Sequence, residues 1–189
     1  MISFAENINI LVFGDSLSAG YGLERDDAWP SLMQTRLMKQ NIPYNIINHS
    51  ISGETTHGGV TRFKSSLDQS NPAIVILELG ANDGLRGLSL KSMKTHLQQM
   101  IDMALNRNIK VLLVGMHLPS NYGAAYTDLF HQKFKKLAEI NNLAFVPFLM
   151  QGLSVGLEMY QADGLHPTAN AQPQMMENVW QGLRPMLLP

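Results

Sequence analysis

Strand-length apolar runs, set between longer stretches of helical periodicity, constrain this chain more than any other feature. Residues 8–13, 73–79 and 110–116 are nearly continuous apolar runs, the pattern of strands covered on both faces. Residues 44–48 form a weaker run and 144–148 a further one. Between them, residues 28–40 carry Trp29, Leu32, Met33, Leu37 and Met38 at near-helical spacing, with Pro30 tolerable in a first turn. Ser89 reads as a helix N-cap before the stripe Leu90, Met93, Leu97, Met100, Ile101 and Ala104. Tyr126, Phe130, Phe134, Leu137 and Ala138 make another stripe, and residues 171–183 read as a closing helix. Strands alternating with helices predict an α/β fold whose parallel sheet is covered on both faces. In such sheets ligands gather at the carboxyl ends of the strands. The loops at 14–22, 49–59, 80–87, 117–123 and 161–167 are therefore expected to share one edge.

Bulk composition narrows the function. With 189 residues, no repeat and no linker, the chain reads as one domain over residues 1–189. A net charge of −1 and the lack of a basic cluster interleaved with aromatics give no support for nucleic-acid binding. No apolar run approaches the ~20 residues that span a bilayer, so stable membrane insertion is not expected. Cysteine is absent, which removes disulfides, thiol catalysis and cysteine-based zinc sites. The histidines have no three-ligand spacing, so neither a metal nor a cofactor is expected, and nothing suggests an obligate partner: a monomer is the expectation. Near the start, Ser3-Phe4-Ala5 has the small-x-small form of a cleavage site. Residues 1–5 read either as the remnant of an export signal or unstructured residue, or as a plain cytoplasmic start.

Four segments carry candidate chemistry. Gly14-Asp15-Ser16-Leu17 directly follows the first strand, and a serine at a strand-to-helix turn can expose its hydroxyl and its own N–H. The same segment also reads as an N-cap serine or, weakly, as a phosphate loop, although it lacks the Gly-Lys-Ser/Thr ending. A nucleophilic serine needs a base, and the base an orienting partner. Asp163-Gly164-Leu165-His166-Pro167 supplies both within one loop; an Asp-x-x-His pair is equally a capping or surface feature. Ser52-Gly53-Glu54 and Gly80-Ala81-Asn82-Asp83-Gly84 follow the second and third strand runs. They offer a backbone N–H at Gly53 and an amide at Asn82 for a developing oxyanion, or simply good turns.

Together, Gly-Asp-Ser-Leu at 14–17, Gly53, Gly-x-Asn-Asp at 80–83 and Asp-x-x-His at 163–166 resemble, in order, the four blocks of the SGNH (GDSL) hydrolases. The likeness runs closest to the bacterial branch of multifunctional acyl-CoA thioesterases, arylesterases and lysophospholipases. It extends to Ala28-Trp29-Pro30, Glu78-Leu79-Gly80, Leu85-Arg86-Gly87 and Ala171-Gln172-Pro173. The resemblance implies a three-layer α/β/α sandwich with a flavodoxin-like, five-stranded parallel sheet. It implies Ser16 as nucleophile, His166 as base and Asp163 as its partner. The Ser16 and Gly53 N–H groups and the Asn82 side chain would form the oxyanion hole. No metal is implied, and the location implied is periplasmic or secreted. Glu54 stands where close relatives often carry Asp, a departure not expected to alter the role of Gly53.

The expected reaction is hydrolysis of a small-molecule acyl ester or thioester, with a carbohydrate acetylesterase as the nearer alternative and a non-catalytic binding module as the remote one. Leu85, Leu118, Tyr122 and Met159 fall in or beside the predicted site loops and are candidates for lining an acyl groove. Asp15 and Asp83 are expected to shape loops through hydrogen bonds to backbone. His49, His57 and His117 are rival bases that lack a nearby carboxylate, while His96 and His131 read as surface residues.

Overall fold

The computed structural model describes residues 8–154 and 158–187. The Ser3–Ala5 pattern lies outside the described residues. Five parallel strands, β1 (Ile8–Gly14), β2 (Tyr44–Asn48), β3 (Ile74–Glu78), β4 (Lys110–Val114) and β5 (Ala144–Val146), form one sheet in the order β2-β1-β3-β4-β5. The flavodoxin-like expectation holds. Helices α1 (Ser16–Ala19), α2 (Trp29–Lys39), α3 (Thr56–Ser70), α4 (Ala81–Leu85), α5 (Leu90–Leu105), α6 (Ala124–Asn141) and α7 (Gln172–Leu183) connect or flank the strands. The pair α2 and α7 packs together on one face, and α3, α5 and α6 pack on the other.

Burial explains the strand sequences. Ile10, Leu11, Val12 and Phe13 of β1 and Ile74–Leu77 of β3 are all essentially inaccessible, because these central strands meet helices on both faces. In α5 the whole stripe Leu90, Met93, Leu97, Met100, Ile101 and Ala104 is buried, and the Ser89 hydroxyl accepts the Ser92 N–H at 3.2 Å as the cap. Asn71 and Asn142 close α3 and α6 in the left-handed region, at φ 40° and 50°, where a short polar side chain tolerates what larger ones resist.

Besides the 14–22 segment, which holds α1, two further loops expected from sequence are partly helical. The 49–59 segment gives way to α3 at Thr56, and the 80–87 segment contains α4. Helix α3 was invisible to apolar periodicity because its buried face is Thr56, Gly59, Phe63, Ser66, Leu67 and Ser70. Small residues stand there because the helix lies close to the sheet: a Cβ on Gly59 would come within 2.5 Å of Leu79 Cδ1.

From β1 the chain moves to β2 on one side and then crosses to β3 on the other. The loops leaving β1 and β3 consequently diverge and open a crevice at the carboxyl edge, the topological switch point of such sheets. Ser16 follows β1 and Asn82 follows β3, so both stand at that crevice.

Candidate active site

Ser16 opens the short helix α1, and the geometry around it follows from three constraints. Asp15, the N-cap, accepts the Leu17 N–H at 3.1 Å and so turns the chain sharply out of β1. Gly20 ends the turn at φ 75°. Gly14 leaves room beneath it, since a Cβ there would stand 2.6 Å from Glu78 Oε2 and 2.8 Å from Ser18 Oγ. The Ser16 side chain stays partly exposed while Asp15, Leu17 and Ser18 are buried. Its N–H, at the first helical position, has no acceptor within the helix.

The C-terminal loop brings His166 to this hydroxyl: His166 Nε2 lies 3.0 Å from Ser16 Oγ. Its other ring nitrogen, Nδ1, donates to Asp163 Oδ2 at 2.7 Å, while Asp163 Oδ1 accepts the N–H groups of Leu165 and His166, both at 2.9 Å. The backbone N–H of His166, its ring and the Leu165 N–H together hold the Asp163 carboxyl down at about 2, since each bond favours the ionised form. Asp163 is 43% exposed and the His166 side chain 18%. The Tyr21 ring packs against the imidazole with centroids 4.5 Å apart.

Across from the histidine stand Gly53 and Asn82. Gly53 sits at φ 77°, a backbone state that glycine adopts without penalty. Among the described residues no protein acceptor takes its N–H. The Asn82 amide donates to Asp15 Oδ2 at 3.2 Å and to the Glu54 carbonyl at 3.0 Å. Arg86 Nη2 donates to Gly53 O at 2.9 Å and approaches Asn82 Oδ1 at 3.4 Å. Glu54, the departure noted from sequence, forms a bidentate pair with Arg62 of α3, which ties the Gly53 loop to that helix.

All five loops contribute to one cavity of about 960 Å³, and Ser16, Gly53, Asn82 and His166 all face it. Leu85 and Leu118 line it, as do Leu17, Met116, Phe148 and Met150, which the sequence did not single out. Tyr122 and Met159 are not among its lining residues. Tyr122 instead turns outward, 38% exposed, and donates to Leu85 O at 3.0 Å. Met159 lies in the short antiparallel contact of the C-terminal loop, where its carbonyl accepts the Thr168 N–H.

The other histidines are engaged elsewhere. His117 reaches the cavity wall but stacks on His131 at 3.7 Å, and burial lowers its pKa. His131, expected at the surface, is half-buried with Nδ1 3.2 Å from Met116 O. His96, expected there too, is half-buried, its Nδ1 3.1 Å from Thr56 Oγ1. Asp83 accepts both the N–H and the hydroxyl of Thr56, which anchors α3 beside α4. Burial and the nearby Arg62 charge lower His49. Among the described residues no group of three or more His, Asp or Glu side chains is arranged to hold a metal, and no helix is long and apolar enough to cross a membrane.

Two residues outside the motif blocks matter locally. Gln161 Nε2 donates to Tyr21 O at 2.8 Å and Pro167 O at 3.0 Å, so it ties the histidine loop to the serine loop. Glu78, at the end of β3, is completely buried beneath the serine turn. Its fully polar side chain in an otherwise apolar strand was the available signal.

Known proteins share this architecture. The GDSL-like Lipase/Acylhydrolase family profile matches residues 12–172. Esterase TesA of Pseudomonas aeruginosa is 42% identical over 178 residues, covering 94% of this chain and 89% of that protein. The crystal structure of TesA superposes with a TM-score of 0.92 over 95% of this chain and 99% of that one. Thioesterase 1/protease 1/lysophospholipase L1 of Escherichia coli is 35% identical over 178 residues, 94% of this chain and 84% of its own length. With a family match across most of its length and full-length relatives at this identity, the chain belongs to the GDSL-like lipase/acylhydrolase family.

Proposed function

We propose that this enzyme hydrolyses acyl esters and thioesters through a Ser16 acyl-enzyme. The observation that carries the reading is the continuous hydrogen-bonded line from Asp163 through His166 to Ser16 Oγ, at 2.7 Å and 3.0 Å. His166 Nε2 takes the Ser16 proton as Oγ attacks the carbonyl, and it returns that proton to the departing alcohol or thiol. Asp163 fixes the tautomer with Nδ1 protonated and stabilises the imidazolium. The Ser16 and Gly53 N–H groups and the Asn82 amide receive the oxyanion. Because both Asn82 N–H groups already have acceptors, the amide serves the oxyanion by sharing one of those hydrogens or releasing the Glu54 carbonyl. Water then repeats the sequence on the acyl-enzyme.

The walls supply the substrate preference. Leu17, Leu85, Met116, Leu118, Phe148 and Met150 surround the reacting hydroxyl, and such a surface gains roughly 0.8 kcal/mol per buried methylene. Esters of longer acyl chains are therefore preferred over acetylated sugars, whose hydroxyls would find no partners on those walls. Aryl esters, acyl thioesters and lysophospholipids fit the same description. The Ser3-Phe4-Ala5 pattern supports action outside the cytoplasm, in the periplasm or medium, and subcellular fractionation checks it.

The test pairs a fluorophosphonate label with a chain-length series. The wild type is expected to label at Ser16 and to turn over p-nitrophenyl esters faster as the acyl chain grows beyond acetyl. Ser16→Ala should lose labelling and at least about 10⁵-fold in kcat with its melting temperature preserved. Unchanged turnover in Ser16→Ala would refute the mechanism, and a preference for acetylated sugar would refute the substrate class.

A further inference from the structure

Two carboxyl groups meet beneath the nucleophile turn, and neither touches the reacting hydroxyl. Asp15 and Glu78 are both fully buried. They approach through the Asp15 N–H, 3.4 Å from Glu78 Oε2. Their surroundings differ sharply. Both Asp15 oxygens accept N–H donors, Leu17 N at 3.1 Å on Oδ1 and Asn82 Nδ2 at 3.2 Å on Oδ2. Glu78 has the Ser18 hydroxyl 2.7 Å from Oε2, while Oε1 is buried with no partner.

We propose that Glu78 is a positioning residue held as a neutral acid, so that Asp15 alone carries the negative charge that orients the Asn82 amide toward the oxyanion. This rests on the reading of Asn82 as an oxyanion donor. A buried anionic oxygen without a hydrogen-bond donor is strongly disfavoured, whereas a neutral carbonyl oxygen in the same place costs far less. With its proton on Oε2, Glu78 donates to Ser18 Oγ, and Oε1 becomes that neutral carbonyl. A proton on Asp15 would instead be set against the Leu17 and Asn82 N–H groups it now accepts. Two adjacent buried carboxyls resist holding two charges, and the donors select which one ionises.

The charges around the pair agree. Glu78 sits well above its ordinary value, first through burial and then through the Asp15 charge. Burial also raises Asp15, but Leu17, His166 and Asn82 each pull it back against a further push from Glu54, so that it comes to rest at about 7. Glu78 lies in β3, just ahead of the loop that carries Asn82, and its side chain fills the space that Gly14 leaves open. A change in its charge therefore reaches the amide through Asp15.

The experiment combines variants with infrared spectroscopy on the intact enzyme. Glu78→Ala is expected to lower kcat at least about tenfold with KM within about twofold, because the loss falls on the transition state. Glu78→Gln, which mimics a neutral acid, should recover kcat to within about threefold of wild type. Asp15→Asn should recover nothing, since one of its side-chain atoms becomes a donor facing a donor. At about pH 8, the wild type and Asp15→Asn should show the carbonyl stretch of a protonated buried carboxyl that Glu78→Gln lacks. A folded Glu78→Gln as impaired as Glu78→Ala, or a wild type without that band, overturns the proposal. Should Glu78→Gln not fold, the band in wild type and Asp15→Asn decides. Failure of the wild type to label at Ser16 would instead strike the esterase reading, and the band would still judge the charge assignment.

Discussion

The two sides of the Ser16 hydroxyl are built in opposite ways. The serine side is moulded by the sheet: Asp15, Ser18 and Glu78 are fully buried, and the bonds that link them to one another and to Asn82 span sixty or more positions. The histidine side is a loop that organises itself. Asp163 is 43% exposed, and all its bonds reach only two or three residues along the chain. Its links to the rest of the site are the Ser16–His166 contact, the Gln161 bridge and the Tyr21 ring. Long-range burial fixes Ser16 and Asn82, whereas short-range hydrogen bonding fixes His166. Damage should therefore divide the same way, with the loop costly to chemistry and cheap to stability, and the turn costly to both.

Removing Asp163 tests the sharpest form of that contrast. Asp163→Ala should lower kcat by about 10³–10⁴, yet shift the melting temperature by no more than ~2 °C, because an exposed group adds little to stability. Calorimetry showing a large loss would erase the distinction between the two sides. Asn82→Ala comes next, with about 10²–10³ lost from kcat and a measurable stability loss as well, since it leaves the buried Asp15 oxygen without a donor. A paired glycine comparison isolates the fold. Gly14→Ala drives a methyl into Glu78 and Ser18 and should cost about 2–3 kcal/mol by denaturant titration. Gly164→Ala, at φ 66° with open space around it, should cost only about 1 kcal/mol. Equal costs would mean the loop is as tightly packed as the turn.

The smallest effect is at the acid edge. Asp163 is held at about 2, below its ordinary 3.8, so its contribution is complete above the ordinary value and disappears as pH falls through the lower one. The Leu165 and His166 amide resonances should titrate together near the lower value; a midpoint at the ordinary one would mean the carboxylate is not bound as the distances indicate.

Legibility from sequence followed the same divide. The Asp163–His166 pair and the Ser89 cap were readable because spacing of two or three residues sets their geometry. The strands of the sheet were readable because burial on both faces forces unbroken apolar runs. Helix α3 was not, since a helix pressed close to a sheet presents small and polar residues inward. Tyr122 and Met159 were plausible groove residues by position along the chain, yet loop conformation leaves them out of the cavity lining and brings Met116, Phe148 and Met150 in.

By itself, the sequence determined the order of the strands and of the helices with apolar stripes, the turn that exposes Ser16, and the local pairing of Asp163 with His166, because periodicity and short spacing act within a few residues. Only the tertiary structure decided which histidine meets the serine, how Asn82 is shared between Asp15 and Glu54, and that two carboxyl groups lie together under the Ser16 turn. Those contacts join segments far apart in the chain, and they exist only once the crossover from β2 to β3 has opened the crevice where the segments converge.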